Sequence, residues 1–283
     1  MVERLKVAVE KARALRGGET PRSQKRATDA PTVIERPTSV AADRAWADLE
    51  PVKLDEKHLE NNRVITRDKK DPAYIAFDVL RTRIMRAFQK NGWSRLGITS
   101  PTKGCGKTFV SANLALSMSR AQNQRTILID MDLRLPALSK VLGVRQNDPA
   151  RWFLSGQTAP EDFLRSAGPN LAVGVNTDRV RDAAEVIMDE RTGETLNGMR
   201  AQFDPDIVIY DLPPMLSCDD VIGFLPQLDC VLLVIAGDRT RPDSVTECER
   251  LLADQTQLLG ILLNKAETSG ATKYGYEYGY GYQ

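Results

Sequence analysis

A lysine and a threonine set directly behind two closely spaced glycines form the most chemically loaded stretch of this chain. Residues Ser100 to Thr108 (SPTKGCGKT) follow a short apolar run, Leu96 to Thr99, and open a helix-like stretch from Thr108 to Ser119. Strand, glycine-containing turn and helix start, in that order, make a phosphate cradle: turn N–H groups and the positive helix end converge on one anion. Gly104 and Gly106 let the backbone curl around phosphate oxygens with no Cβ in the way. Lys107 can set its ammonium against the β- and γ-phosphates, and Thr108 can offer its hydroxyl to Mg²⁺. The nucleotide-contacting run is thus Lys103, Gly104, Cys105, Gly106, Lys107, Thr108 and Phe109. The full pattern asks for a further glycine where Pro101 stands, so the match is to its G-x-G-K-T half. Cys105 is read as a small filler, with an oxidisable thiol as the alternative.

Two acidic sites fall where a nucleotide fold needs them. Thr126 to Asp130 (TILID) is an apolar strand ending in acid and continues as Met131, Asp132, Leu133 and Arg134. Asp206 to Asp211 (DIVIYD) is a second such strand, followed by Leu212, Pro213 and Pro214. Ligands of parallel sheets sit at the carboxyl ends of strands, where strand order switches. Asp130, Asp132 and Asp211 are therefore expected to converge on the phosphates, with a carboxylate facing Thr108 across the ion. Any one of them alone would read as a cap or turn residue; the ordered set does not.

The remaining elements must position these groups. Apolar runs at Val231 to Ala236 and Leu258 to Leu263 alternate with helical stretches at Asp219 to Pro226 and Pro242 to Ala253. That alternation predicts an α/β fold, a doubly wound and mostly parallel sheet covered on both faces. Between Gly143 and Asp204 the pattern predicts a helical excursion with Trp152, Phe153, Phe163 and Leu164 in the core, and a strand at Leu171 to Val175. Asn264, ending the last strand, touches either the nucleotide base or a turn.

Composition narrows the class. The chain has 283 residues, 39 basic against 38 acidic, so no global field calls for nucleic acid or a membrane. The apolar run from Cys230 to Ala236 is too short to span a bilayer, and no signal peptide is expected. The four cysteines lack metal-binding spacing and are expected to be reduced thiols; the single histidine, His58, lies in a polar stretch. Three segments are expected: a linker over 1–71, a catalytic domain over 72–266 and a tail over 267–283. Within the first, Val2, Leu5, Val9, Ala12 and Leu15 share one face of a short basic helix, either a docking element or a solvated, frayed one.

The tail is the second distinctive feature. Tyr274, Tyr276, Tyr278, Tyr280 and Tyr282 alternate with glycine and one glutamate. Without aliphatic side chains the segment cannot form a core. Such tracts can be stacking, low-complexity ends. Joined to a nucleotide domain, five phenols are also five potential phosphoryl acceptors.

From about residue 72 onward the chain resembles the bacterial tyrosine autokinases of capsule and exopolysaccharide synthesis. Ser100 to Thr108 matches their Walker A motif, Ile127 to Arg134 (ILIDMDLR) their own second Walker motif, and Ile207 to Pro214 (IVIYDLPP) Walker B. The resemblance implies ATP and Mg²⁺ as cofactors, with Lys107 and Thr108 on phosphates and ion. It also implies that Asp132 and Asp211 hold the ion, and that Asp130 takes the tyrosine proton. It further implies a cytoplasmic protein at the inner membrane beside a membrane-spanning chain-length regulator, here supplied in trans, and assembly as a homo-oligomer. Two departures stand out. The Glu and two Arg that bridge neighbouring subunits in the family align with Ile75, Asp78 and Arg81, and the family's usual segment before Asp204 is replaced by Asn176 to Arg181. The alternative reading is a Min/Par-type dimerising ATPase switch. Those usually carry a lysine where this chain has Thr102. A non-hydrolysing ATP-binding scaffold is a third.

Overall fold

The computed structural model describes residues 39–64, 71–121, 123–145 and 148–266. The expected basic helix over residues 2–15 and the tyrosine tail over 267–283 lie outside them. At the centre is a seven-stranded sheet in the order β3-β4-β2-β5-β1-β6-β7. Its members are β1 (Arg95–Thr99), β2 (Thr126–Asp130), β3 (Arg165–Gly168), β4 (Leu171–Gly174), β5 (Ile207–Asp211), β6 (Cys230–Ala236) and β7 (Gln257–Asn264). All pairs are parallel except β3 with β4.

The apolar runs of β1, β2, β4, β5 and β6 form buried strands because alternate side chains feed two separate cores, one on each face, while β7 at the edge leaves Ile261 and Leu263 exposed. Ile127, Ile129, Val208 and Tyr210 point to one, while Leu128, Ile207, Ile209, Leu96 and Ile98 point to the other. Helix α3 (Pro72–Asn91) starts at Asp71, whose carboxylate accepts from Ala73 N–H, and ends at Gly92 in the left-handed region. It covers the second core together with α4 (Lys107–Ser119). Asp78 of α3 spends its carboxylate inside the domain, on Arg81, Ser117 and Arg120, while Ile75 is exposed. Where the resemblance implies subunit-pairing residues, this chain has an internal contact at Asp78 and an exposed apolar side chain at Ile75.

Two expectations need correction. Residues 39–64 are not linker. They carry α1 (Val40–Ala47) and α2 (Glu56–Asn61), capped by Ser39 and Asp55. Trp46, Leu49, Leu59 and Val64 are buried, while Val40 is exposed. Trp46 Nε1 donates to the Phe203 carbonyl at 2.7 Å, and Val52 and Glu50 bond Ser166 on the sheet's edge strand. A single well-placed indole offsets a polar composition, because it buries a large apolar area and satisfies its one donor. The second correction is Trp152, which is 44% exposed, whereas Phe153, Phe163 and Leu164 are fully buried. Phe153 and Phe163 stack at 4.3 Å, closing the core under α6 (Ala150–Leu154) and α7 (Pro160–Phe163), where α5 (Leu138–Leu142) precedes them.

Asp229, before β6, fixes the strand that delivers the glycine loop. It accepts from Ser94 N–H, Arg95 N–H and the Arg95 guanidinium at 2.7 to 3.0 Å. Burial works to raise its pKa, but these donors outweigh burial and hold the carboxyl below the usual range. A depressed native pKa means stabilisation that is complete above about pH 4 and lost as pH falls through the native value. Asp229→Asn is expected to cost about 1–2 kcal/mol at neutral pH, with the difference vanishing in acid, as read by urea unfolding at several pH values. Trp46→Ala is expected to cost about 3–5 kcal/mol in the same assay, where a linker position would cost nothing measurable.

Candidate active site

The loop between β1 and α4 takes the shape its glycines permit. Gly104 has φ +81° and Gly106 φ +91°, both in the left-handed region. Gly106 caps α4 without any side-chain cap, so the first turn's N–H groups face the loop's concavity as an anion site. A Cβ on Gly106 would lie 2.2 Å from Asn264 Nδ2, and one on Gly104 would lie 2.8 Å from the Arg239 guanidinium. Cys105 is fully buried beneath the loop beside Thr102 and Thr240, as a filler would be. Lys103 is exposed, and Phe109 packs edge-on against Phe77 at 5.9 Å.

The sheet brings the expected acids together. Asp130 and Asp211 are register partners at the ends of β2 and β5, both fully buried. Lys107 Nζ donates to Asp132 Oδ2 at 2.8 Å, in an ion pair whose side chains are almost wholly covered. Burial would lower the Lys107 pKa, but Asp211 and Asp132 outweigh it and raise it. Burial raises Asp211, opposed by Lys107 and by the Thr108 and Ser111 hydroxyls. One oxygen of Asp211, Oδ2, is buried with no hydrogen-bond partner.

Asp130 is placed differently from its expected role. Oδ1 accepts from Asp132 N–H, and Oδ2 accepts from Ala137 and Leu138 N–H at 3.1 and 2.9 Å. Burial pushes its pKa up to about 8, Asp211 adding to the rise and the Leu138 amide opposing it. Both oxygens thus help fold the loop that carries Asp132, and the carboxyl is fully buried. Residue type alone could not reveal this, since the donors lie seven and eight positions along the chain.

Ser111 and Arg239 lie outside the motifs, and Arg134 lies in one with no role assigned to it. Ser111 Oγ lies 3.0 Å from Asp211 Oδ1 and 3.0 Å from the Lys107 carbonyl, joining the lysine's turn to the third acid. Its place four residues after Lys107, on the same helix face, was the available signal. Arg134 makes a bidentate pair with buried Asp220 at 2.8 Å, tying the Asp132 loop to α10 (Asp220–Phe224), the third helix after α7, behind α8 (Ala183–Met188) and α9 (Glu190–Phe203). Arg239, over Gly104, follows β6 in a segment without motif character. Asn264 donates from Nδ2 to the Cys105 carbonyl at 2.9 Å, so it reaches the loop itself.

Residues 96–278 match the CobQ/CobB/MinD/ParA nucleotide binding domain. The chain belongs to that family. It is 26% identical over 244 residues to the tyrosine-protein kinase wzc of Salmonella typhi, covering 85% of this chain and 33% of that protein. It is 26% identical over 220 residues to the tyrosine-protein kinase YwqD of Bacillus subtilis, covering 77% and 92%. The kinase domain of the Escherichia coli tyrosine kinase ETK superposes with a TM-score of 0.67 at 26% identity, covering 75% of this chain and 83% of that one. The resemblance to bacterial tyrosine autokinases is borne out. The chain spans only 27% to 33% of the length of the longer relatives it matches.

Gly106→Ala combines a disfavoured backbone angle with a clash against Asn264. It is expected to weaken binding of a fluorescent nucleotide by about tenfold or more, measured by titration. Gly198→Ala, on α9 with open space around it, is expected to bind as the parent does.

Proposed function

We propose that the protein is an ATP-dependent tyrosine autokinase that modifies Tyr274, Tyr276, Tyr278, Tyr280 and Tyr282 and so regulates capsule or exopolysaccharide production. The observation that carries this reading is where the acceptor segment begins. The last strand ends at Asn264, in contact with the phosphate loop. Tyr274 lies ten residues further, a reach of about 33 Å when extended, which covers its own site or a neighbour's.

The donor set suits Mg²⁺. An orphaned carboxylate oxygen on Asp211 beside a threonine hydroxyl fits a hard cation that takes one or two carboxylates and completes its shell from phosphate and water. Thr108, Asp211 and Asp132 would hold it, and when bound it neutralises phosphate oxygens. Lys107 exchanges Asp132 for the β- and γ-phosphates, and the loop N–H groups with Lys103, Gly104, Cys105, Gly106 and Phe109 complete the cradle. A tail phenol oxygen bonds to the γ-phosphorus as the bond to the β-bridging oxygen breaks and ADP leaves. The phenol proton passes to water, since Asp132 and Asp211 would hold the ion and both oxygens of Asp130 accept backbone N–H groups. Little covalent help is needed, since positioning and charge neutralisation carry most of such a transfer. Each phosphate adds about −1.5 to −2 charges, so a modified tail is driven from the acidic mouth.

A membrane-spanning chain-length regulator acting in trans belongs to the same proposal, as does peripheral placement at the inner membrane through it. No helix among the described residues is long and apolar enough to cross a membrane. Incubation with Mg-ATP, with and without the regulator's cytoplasmic segment, is expected to yield phosphotyrosine that Lys107→Met abolishes. Removing residues 274–282 should abolish the signal and spare nucleotide binding. ATP hydrolysis with every tail tyrosine unmodified would contradict the proposal and favour a Min/Par-type switch.

A further inference from the structure

We infer that Lys265 is a positioning residue that fastens the root of the C-terminal segment to the phosphate loop and couples the tail's course to nucleotide occupancy. This rests on the autokinase reading and deepens it. Lys265 Nζ donates to the Gly104 carbonyl at 2.8 Å, across 161 positions of sequence. Its neighbour Asn264 donates to the next carbonyl of the loop, that of Cys105. Two successive residues at the chain's exit therefore hold two successive peptides of the loop.

The backbone at this exit is exposed at Lys265 and Ala266 but is held by several specific contacts. Lys265 has φ +51°, one of three non-glycine residues with positive φ among the described residues. Asp204, another, ends α9 as its cap, and Arg63 follows α2. Lys265 ends no helix, and an L-residue keeps this conformation only when its surroundings fix it. Asn264 Oδ1 accepts from Lys265 N–H at 2.9 Å, and the Asn264 carbonyl accepts from Gly237 N–H at 3.0 Å. A Cβ on Gly237, just after β6, would lie 3.1 Å from Ala266 Cα and 3.3 Å from the Lys265 carbonyl oxygen, so the exit packs closely against this backbone.

The coupling follows from peptide electrostatics. The Gly104 carbonyl and the Cys105 N–H belong to one peptide unit, and the Cys105 carbonyl and Gly106 N–H to the next. A cation or donor on the carbonyl polarises the unit and strengthens its N–H as a donor. Phosphate on the N–H side strengthens the carbonyl as an acceptor in turn. Nucleotide and Lys265 thus favour each other, and the linkage is reciprocal. With the loop filled, the root is held and the phenols start from a fixed point at the mouth.

The test uses the full chain and three variants: Lys265→Gly, which keeps the left-handed backbone and removes the ammonium; Lys265→Arg, which restores a cation; and Lys265→Ala. Hydrogen–deuterium exchange at residues 264–266 is measured with and without Mg-ADP. Tail phosphorylation at saturating Mg-ATP is compared with phosphorylation of a separate YGYEYGYGYQ peptide. In the parent, nucleotide should slow exchange at these residues at least fivefold. Lys265→Gly and Lys265→Ala should lose that protection and slow tail phosphorylation five- to tenfold, with peptide phosphorylation changed less than twofold. Lys265→Arg should recover both to within twofold. Unchanged exchange on nucleotide binding overturns the inference, as does parental tail phosphorylation in Lys265→Gly. Equal loss on tail and peptide with a raised KM for ATP also overturns it, making Lys265 a support of the nucleotide site. Should the parent phosphorylate no tyrosine, the autokinase reading fails, and the exchange result alone decides the coupling.

Discussion

Two carboxylates, Asp130 and Asp211, sit side by side and fully buried at the ends of neighbouring parallel strands, and the rest of the site answers to that constraint. Like charges at such range in a low-dielectric interior cannot both ionise without compensation. Asp132 adds a third acid, and the ammonium of Lys107 pairs with it directly. Backbone amides absorb Asp130, and the Ser111 hydroxyl absorbs part of Asp211. What remains is an acidic mouth short of positive charge, built to receive a cation together with an anion that the loop and lysine can hold.

The fold exists to bring these groups to one end of the sheet. Continuous apolar strands bury the middle of the molecule, so the charged residues of these strands stand only at their ends. β1 lies between β5 and β6, which puts the glycine loop at the switch in strand order. Thr99 Oγ1 donates to the Pro213 carbonyl at 2.6 Å, joining the start of the glycine loop to the segment after Asp211. Asp229 performs the same service at the opposite end of β1.

Much of this was legible in the sequence because motif residues follow uninterrupted apolar runs. Gly104, Gly106, Lys107, Thr108, Asp132 and Asp211 all come to the mouth as expected. The antiparallel edge strand β3 was missed because RSAG carries no apolar signal and exists through its pairing with β4. The polarity of residues 39–64 predicts a linker and conceals four buried anchors, of which Trp46 alone supplies both area and a hydrogen bond. The place of Asp130 was legible but its task was not, since that depends on which amides fold back onto it. Trp152 looked like core by type; its side chain points outward while its neighbour Phe153 stacks on Phe163.

The loop also links the chemistry to the chain's far end, through carbonyls that carry Asn264 and Lys265 on the side away from its N–H donors. In the proposed autokinase reading, binding and acceptor delivery are then parts of one assembly. Its premise is that the buried acids make nucleotide binding depend on a divalent cation. Calorimetric titration of ATP with and without Mg²⁺ tests this most directly. Mg²⁺ is expected to tighten binding at least tenfold in the parent and not in Asp211→Asn. Equal affinity in the parent with and without Mg²⁺ would contradict that premise.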